Sequence, residues 1–532
     1  MVIQKACGED PSYPNLMSTL DERGNSLYCA TNTPDFLGGG TSIKLQALFL
    51  GLAIALVLPA PIQSQNLTSA ETAQQSDALA GIEASMERHK LTALSVAIFD
   101  DYGWIETQVF GAKTTSGEAI SKNTAFSTAS ISKPVTALVA MSLAEEGIID
   151  LDAPIAASLK RWTLPASDVP GAARVTWRQL LAHRGGTSQH GFADFYEGDT
   201  IPTLVDSVEG RLPRYDRPIE FLFSPGSDWK YSGGGYVIVQ MALEDATGIP
   251  LATLAKTRVF DPLGMEQSTM LQPNEPGFPA DTAMVHDEDG QLIRTGLPIT
   301  PQVAASGMWS TPRDLALFAI AIQKGLRGET VGPITPAIAG TLTDIVSLDH
   351  VGGMATPFFR GFGLGNTDWF RHDGSNTGVN SDLFAAMEGG YGFVLMGNGD
   401  DANTGPVFAE VRRSIIASQG WAKRAPVASA PLDAKLRAAI VGDYKGLLYD
   451  LGLDYRVEAR GERLFVVSPF FEQFLGQPDS EMVNLGDGVF RIVDYPNLLR
   501  FEFDEAGAMN AVVASRPGSG TEPVRREISD MR

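Results

Sequence analysis

Thr128-Ala129-Ser130-Ile131-Ser132-Lys133-Pro134, running at once into Val135-Thr136-Ala137-Leu138-Val139-Ala140-Met141-Ser142-Leu143, is the stretch from which the rest of the chain is read. Small polar residues lead into a helix whose Val135, Leu138, Val139 and Leu143 recur at helical spacing and mark one buried face. Ser130 then falls near the helix N-terminus. With residues 130–133 in the first turn, Ser130 and Lys133 stand on one face, within reach of each other. Pro134 is compatible with this position because first-turn amides have no intrahelical partner. The positive end of the helix dipole favours negative charge developing on Ser130. The expected chemistry is that of a serine poised to lose its proton.

Ser-x-x-Lys occurs a second time, at Ser227-Asp228-Trp229-Lys230, but that copy follows Pro225-Gly226, opens no helix and reads as a turn. A tetrapeptide alone is therefore a weak signal, and its weight comes from two segments further on. A serine hydroxyl needs a base and an oxyanion site. Trp229-Lys230-Tyr231-Ser232-Gly233-Gly234-Gly235-Tyr236 sets the Tyr231 phenol in a glycine-rich turn ahead of a helix, where bare backbone can approach closely. A phenol ordinarily titrates at about 10; an adjacent Lys133 cation would favour phenolate and let it act as base. The alternative for Tyr231 is a core aromatic with a satisfied hydroxyl.

Phe370-Arg371-His372-Asp373-Gly374-Ser375-Asn376-Thr377-Gly378 opens a run of returning strands. Gly374 lets a substrate approach the main chain, and the Ser375 N–H, paired with the Ser130 N–H, is expected to form an oxyanion hole. His372 is expected to hydrogen-bond Tyr231 or a substrate carboxylate. His350-Val351-Gly352 has the same shape and reads as a decoy, and His183, in Leu180-Leu181-Ala182-His183-Arg184-Gly185-Gly186, reads as structural at a helix end.

Ser130-x-x-Lys133, Tyr231-Ser232-Gly233 and His372-Asp373-Gly374, in that order, resemble the three motifs of the serine β-lactamase and penicillin-binding-protein superfamily. The tyrosine of the second motif resembles the branch holding class C β-lactamases, DD-peptidases, D-aminopeptidases and related esterases. Glu145-Glu146-Gly147-Ile148-Ile149-Asp150-Leu151-Asp152 is similar to that branch as well, and the resemblance covers roughly residues 78–420. It implies Ser130 as acylated nucleophile, Lys133 as its proton partner, Tyr231 as general base, and His372, Gly374, Ser375 and Gly233 around the substrate. Acyl transfer to Ser130 followed by hydrolysis needs no metal or other cofactor. Two departures count against a β-lactamase: Gly233 stands where relatives carry asparagine, and His372 replaces a lysine, removing a fixed cation for a carboxylate at neutral pH.

The 532 residues, 44% hydrophobic and 20% charged, describe a globular protein of two or three folded units. A formal charge of −22 disfavours nucleic acid and anionic membrane surfaces as partners. Residues 1–64 read as a leader: Lys44, the apolar run 45–58 and Pro59-Ala60-Pro61 resemble a secretory signal, cut near Ala60 or Ser64, with a buried helix as the alternative. Periplasmic or secreted localisation follows, with no integral membrane span in the mature chain. Cys7 and Cys29 both lie in that leader, which excludes a cysteine nucleophile in the mature protein.

Helix is expected at 78–89, a hairpin at 94–99 and 104–110, mostly helix over 134–350, strands at 382–387 and 391–396, and helix at 406–418. The fold class is therefore α+β: an antiparallel sheet built from both ends of a hydrolase domain (65–420) with an inserted helical lobe. A linker at 421–432 leads to short strands at 455–459, 463–468, 489–493, 498–503 and 511–515, expected to make a small antiparallel barrel over 433–532; this tail is similar to the lipocalin-like domain of some of these hydrolases. The expected protein is an exported peptidase or amidase of the DD-peptidase type acting on small peptides, including ones with D-residues or linearised cyclic ones such as microcystins. The alternatives are an esterase, then a β-lactamase, and, outside enzymes, a silent binding protein.

Overall fold

The computed structural model describes residues 79–531 apart from 214–215, 350–351, 365–366, 422–426, 446–453, 470, 472–477 and 494. The leader and His350 lie outside the described residues. The described residues fall within one compact unit.

Helix α1 (Ile82–Arg88) lies within the expected span, and β1 (Ala93–Asp100) and β2 (Trp104–Gly111) form the expected hairpin, Leu94 opposite Phe110 and Phe99 opposite Ile105. The turn departs from expectation in one respect. Asp101 and Tyr102 carry the positive φ angles, 47° and 57°, and Gly103 does not. Tyr102 is held there from outside: its N–H donates to Gly390 O at 3.2 Å and its hydroxyl accepts from the Gly389 N–H at 3.0 Å.

Next come β3 (Phe126–Ser127), α2 (Ser132–Glu145), α3 (Gly233–Thr247), β4 (Trp309–Ser310) and α4 (Pro312–Leu326), the last opened by a Thr311 cap and a first-turn proline. The single buried face expected for α2 is a correction: every residue from Ser132 to Leu143 is buried, so this helix runs through the middle of the lobe. Strands then return as β5 (Ser347–Leu348), β6 (Gly353–Met354), β7 (Phe359–Leu364), β8 (Thr367–Asn376), β9 (Val379–Ala386) and β10 (Gly392–Gly397). The antiparallel order is β2-β1-β10-β9-β8-β7-β6-β5, with β1 and β10 joining the two chain ends through Leu94 opposite Gly397.

Period-two alternation sorts this sheet between two cores. Ala97, Leu383, Ala385, Val394 and Met396 face the helical lobe with Phe318 and Ile322 of α4. Val96, Ile98, Phe384, Phe393 and Leu395 face the other way, against α1 and α5 (Asp401–Gln419), whose Val407, Val411 and Ile415 are buried there. Helix α5 starts at Asp401, ahead of the expected Pro406, which lies within it.

The tail is α6 (Ala434–Ile440), capped by the Asp433 carboxylate, then β11 (Gly442–Tyr444), β12 (Tyr455–Arg460), β13 (Arg463–Val467), β14 (Asp479–Gly486), β15 (Val489–Ile492), β16 (Leu498–Phe503), β17 (Met509–Ser515) and β18 (Val524–Glu527). Each strand pairs antiparallel with the next, and the sheet curls as a half-barrel. Its Tyr455, Val457, Leu464, Phe490 and Phe501 join the same apolar core as the outer face of the first sheet. Trp421, placed by sequence at the head of a linker, instead stacks on Tyr391 with ring centroids 4.9 Å apart. Among the described residues no single helix is long and apolar enough to cross a membrane.

Candidate active site

Ser130 sits in a short turn, Ala129–Ile131, of 3-10 geometry that feeds α2, and Ala129 before it takes a left-handed φ of 46°. For a residue with a β-carbon that conformation is costly, on the order of 1–2 kcal/mol, and it is held by contacts on both sides. The Thr128 N–H donates to Met308 O at 2.9 Å, and Ser132 Oγ donates to Ala129 O at 2.6 Å and accepts from the Met308 N–H at 2.9 Å. The turn presents Ser130 to a cleft of about 250 Å³.

Lys133, 2% exposed, reaches back along the helix: Nζ donates to Ser130 Oγ at 3.1 Å and to Ala305 O at 2.7 Å, and stands 4.7 Å from the centre of the Tyr231 ring. Burial pulls its pKa down to about 7, against the opposing pull of the Asp373 carboxylate. The Tyr231 hydroxyl shares a hydrogen bond with the Ser130 side chain, yet burial holds the phenol well above its ordinary range. The phenolate expected for Tyr231 is therefore the less accessible base: desolvation suppresses a lone anion and frees an amine. Of the two partners of Ser130, Lys133 is the one able to accept a proton near neutrality.

Strand β8 closes the site. Gly374 lies so close to the serine turn that a β-carbon there would stand 2.2 Å from Thr128 O and 2.9 Å from Ser130 N. Across the ladder Ser381, opposite Gly374, donates from Oγ to Thr128 O at 2.8 Å, tying β9 to the same turn. Ser375 lines the cleft, its hydroxyl donating to Asp401 at 3.2 Å. Gly233 also lines it, and explains its own departure: a β-carbon there would meet His190 O at 2.7 Å and Phe192 Cε2 at 3.2 Å, so the His190 carbonyl and the Phe192 ring occupy the space an asparagine side chain would need.

His372 departs from expectation. It is 1% exposed and absent from the cleft wall; Nδ1 bonds its neighbour's carbonyl, Asp373 O, at 2.7 Å, and the buried Nε2 has no hydrogen-bond partner among the described residues, Tyr231 included. Burial lowers its pKa to about 4 and keeps the ring neutral. His183, read as structural, lies directly against Tyr231, with ring centroids 4.3 Å apart and 29° between planes. His190, Asp194 and Asp400, which no motif marks, also line the cleft. They sit in loops without periodicity, and only Asp400, just ahead of a helix, carried a positional signal. The exposed Ser227 bonds within its own turn, to Ser224 O at 2.8 Å, as its reading as a turn requires.

A serine, a depressed lysine and a phenol sharing one oxygen, on an α+β frame whose sheet joins both ends of the catalytic region, define the serine acyl-transfer class. The chain belongs to the Beta-lactamase family, whose model matches residues 80–417 and whose members are serine hydrolases. It is 24% identical over 367 residues to penicillin-binding protein 4 of Amycolatopsis lactamdurans, covering 66% of this chain and 92% of that one. It is 31% identical to penicillin-binding protein 4* of Bacillus subtilis over 159 residues, 30% of this chain and 33% of that protein, and 31% identical to esterase EstB of Burkholderia gladioli over 156 residues, 28% and 39%. Among solved structures, the octameric penicillin-binding protein homologue from Pyrococcus abyssi superposes with a TM-score of 0.54 at 19% identity, covering 83% of this chain and 96% of that one. The D-amino acid amidase from Ochrobactrum anthropi gives 0.51 at 21%, covering 65% and 99%. At these identities the structural likeness is one of fold.

Proposed function

We propose that this protein is a peptidase or amidase that hydrolyses small peptides through an acyl-enzyme on Ser130. The observation that carries this reading is the 3.1 Å contact of Lys133 Nζ with Ser130 Oγ, with the Tyr231 hydroxyl on the same oxygen. The Lys133 amine takes the Ser130 proton as Oγ adds to the substrate carbonyl. The oxyanion meets the N–H groups of Ser130 and Ser375. Collapse expels the leaving amine, which receives its proton by way of Tyr231, and water then hydrolyses the ester by the same groups in reverse.

The cleft wall bears on the substrate. Asp194 and Asp400 line it; its basic side chains are His190 and Lys133, the latter held on Ser130 and Ala305 O, while no arginine lines it among the described residues and His372 is neutral and out of the cleft. A peptide offering a free amino group suits this wall better than the carboxylate of a β-lactam or a C-terminal peptide. D-residue-containing and linearised cyclic peptides of the microcystin type fit that description, and the D-amino acid amidase is in line with it. An esterase is the second reading, favoured by the match to EstB and to a lovastatin esterase of Penicillium rubens. Export to the periplasm or medium is part of the proposal, resting on the apolar run 45–58 and the lack of cysteine beyond residue 29.

Labelling by a fluorophosphonate probe tests the reaction class: the wild-type chain takes one label at Ser130 and Ser130→Ala takes none. Labelling of both, or of neither, returns the chain to the binding-protein alternative. Free and N-acetylated D- and L-alanine p-nitroanilides, beside a short p-nitrophenyl ester and a chromogenic cephalosporin, then rank the substrates, with the free D-amide expected first.

A further inference from the structure

His183 touches the Tyr231 segment at three consecutive residues. Its carbonyl accepts from the Lys230 N–H at 2.9 Å, its ring stacks on Tyr231 at 4.3 Å, and its Nδ1 accepts from the Ser232 N–H at 3.1 Å. Ser232 is in turn the cap of α3, its hydroxyl accepting from the Gly235 N–H at 3.1 Å and donating to Gln189 O at 2.9 Å. His183 itself takes a left-handed φ of 58°, a conformation rare outside glycine and kept only where surroundings hold it.

We propose that His183 is a positioning residue for Tyr231, setting the phenol oxygen on Ser130 through a three-point grip on residues 230–232. This rests on the acyl-enzyme reading above. Because the Ser232 N–H donates to Nδ1, the neutral ring carries its proton on Nε2, and Nε2 is buried with no hydrogen-bond partner among the described residues. A site that required bulk alone would be filled by a phenyl ring, without an unpaired polar atom in the core. The imidazole is there for the acceptor on its other side. The ring also stays uncharged: burial above all, with the nearby Lys133 charge adding to it, keeps its pKa well below the ordinary value. An imidazolium would lose the Nδ1 acceptor and repel the Lys133 ammonium.

The grip is therefore a set of contacts that fix the angle of one ring, and positional errors of about an ångström in such a group can cost on the order of a hundredfold in rate. Three variants separate its parts. His183→Phe keeps the stack and loses the acceptor; His183→Asn keeps a short acceptor and tolerates the left-handed backbone; His183→Ala loses both. The readout is the pseudo-first-order rate constant of Ser130 acylation by the fluorophosphonate, which does not depend on how much of the sample is folded, with the amplitude recorded beside it. Expected are rate constants reduced roughly tenfold or more in His183→Phe and His183→Ala, with partial recovery in His183→Asn, on a Tyr231→Phe background no further loss, and KM for a turned-over amide changed far less than kcat.

A purely structural His183 would lower the amplitude and leave the rate constant alone, and that outcome overturns the proposal. If His183→Ala yields no folded protein, equal rate constants for the Phe, Asn and wild-type chains overturn it as well. Failure of the wild-type chain to acylate at all overturns instead the hydrolase reading on which the proposal stands.

Discussion

Enclosing the Lys133 side chain at 2% exposure brings its pKa from 10.5 to about 7, and the same burial that makes it a base at neutral pH weakens the fold. Between about pH 7 and 10.5 the unfolded chain holds a proton that the folded chain does not, so stability rises with pH across that window and is lost as pH falls through it. At about 1.4 kcal/mol for each pK unit, the deficit below pH 7 is several kcal/mol. Lys133→Met removes the charge and keeps most of the volume. It should abolish turnover, along with the wild-type rise in rate as pH passes about 7, and at pH 6 it should unfold at a higher urea midpoint than the wild type. That advantage should shrink as pH nears 10; a constant gap would mean that Lys133 is not the titrating group. Ser130 and Lys133 as a pair are legible from their three-residue spacing where a turn runs into a helix. The pKa is not, because desolvation depends on what surrounds a group, and the nearest acceptor besides Ser130 is Ala305 O, 172 residues along the chain.

At the scale of elements, β8 decides whether the serine turn and the proposed oxyanion site at the Ser375 amide meet. The glycine of His372-Asp373-Gly374 was read as room for a substrate, and the structure gives a nearer reason: Gly374 makes room for the protein's own Thr128 carbonyl, where a β-carbon would stand at 2.2 Å. Gly374→Ala should push β8 off the turn, costing about 1–3 kcal/mol of stability and, through misplacement of the Ser375 amide, about a hundredfold or more in acylation rate. Wild-type acylation in a folded Gly374→Ala chain would remove β8 from the oxyanion site. Elements carrying strong periodicity, such as α4 and the β1–β2 hairpin, were readable in advance. Strand β14 is not legible in the sequence because Asp479-Ser480-Glu481-Met482-Val483-Asn484 is rich in residues disfavoured in strands; it forms because Leu464 and Phe465 of β13 and Arg491 and Ile492 of β15 pair with it on either side.

Across the whole molecule, the tail sheet is bound to the outer face of the catalytic sheet by more than shared apolar surface. Asn497 Nδ2 donates to Asp349 O at 2.6 Å and to Gly352 O at 2.8 Å, Thr521 Oγ1 to Ile345 O at 2.9 Å, and Arg516 joins Arg360 on the Asp368 carboxylate. Asn497 is 1% exposed, so Asn497→Ala removes donors from buried carbonyls and should lower stability by about 1–3 kcal/mol in a urea titration. Turnover per acylatable site should stay within about twofold, because none of these groups lines the cleft. A loss of turnover without a loss of stability would instead tie the tail to catalysis.

By itself the sequence determined the order of the three motifs, the neighbourhood of Ser130 and Lys133, the helical middle between returning strands, and the strand-rich tail. Each of these follows from spacing within a segment, where helix and strand periods set which residues share a face. Only the tertiary structure decided that Tyr231 meets Ser130 as a neutral phenol, that His372 is withdrawn from the cleft, that His183 grips the tyrosine segment, and that the tail shares a core with the catalytic sheet. Those outcomes depend on burial and on contacts between segments far apart in the chain, and the free energy of taking a charge or a ring out of water is set by the completed surroundings rather than by adjacent residues.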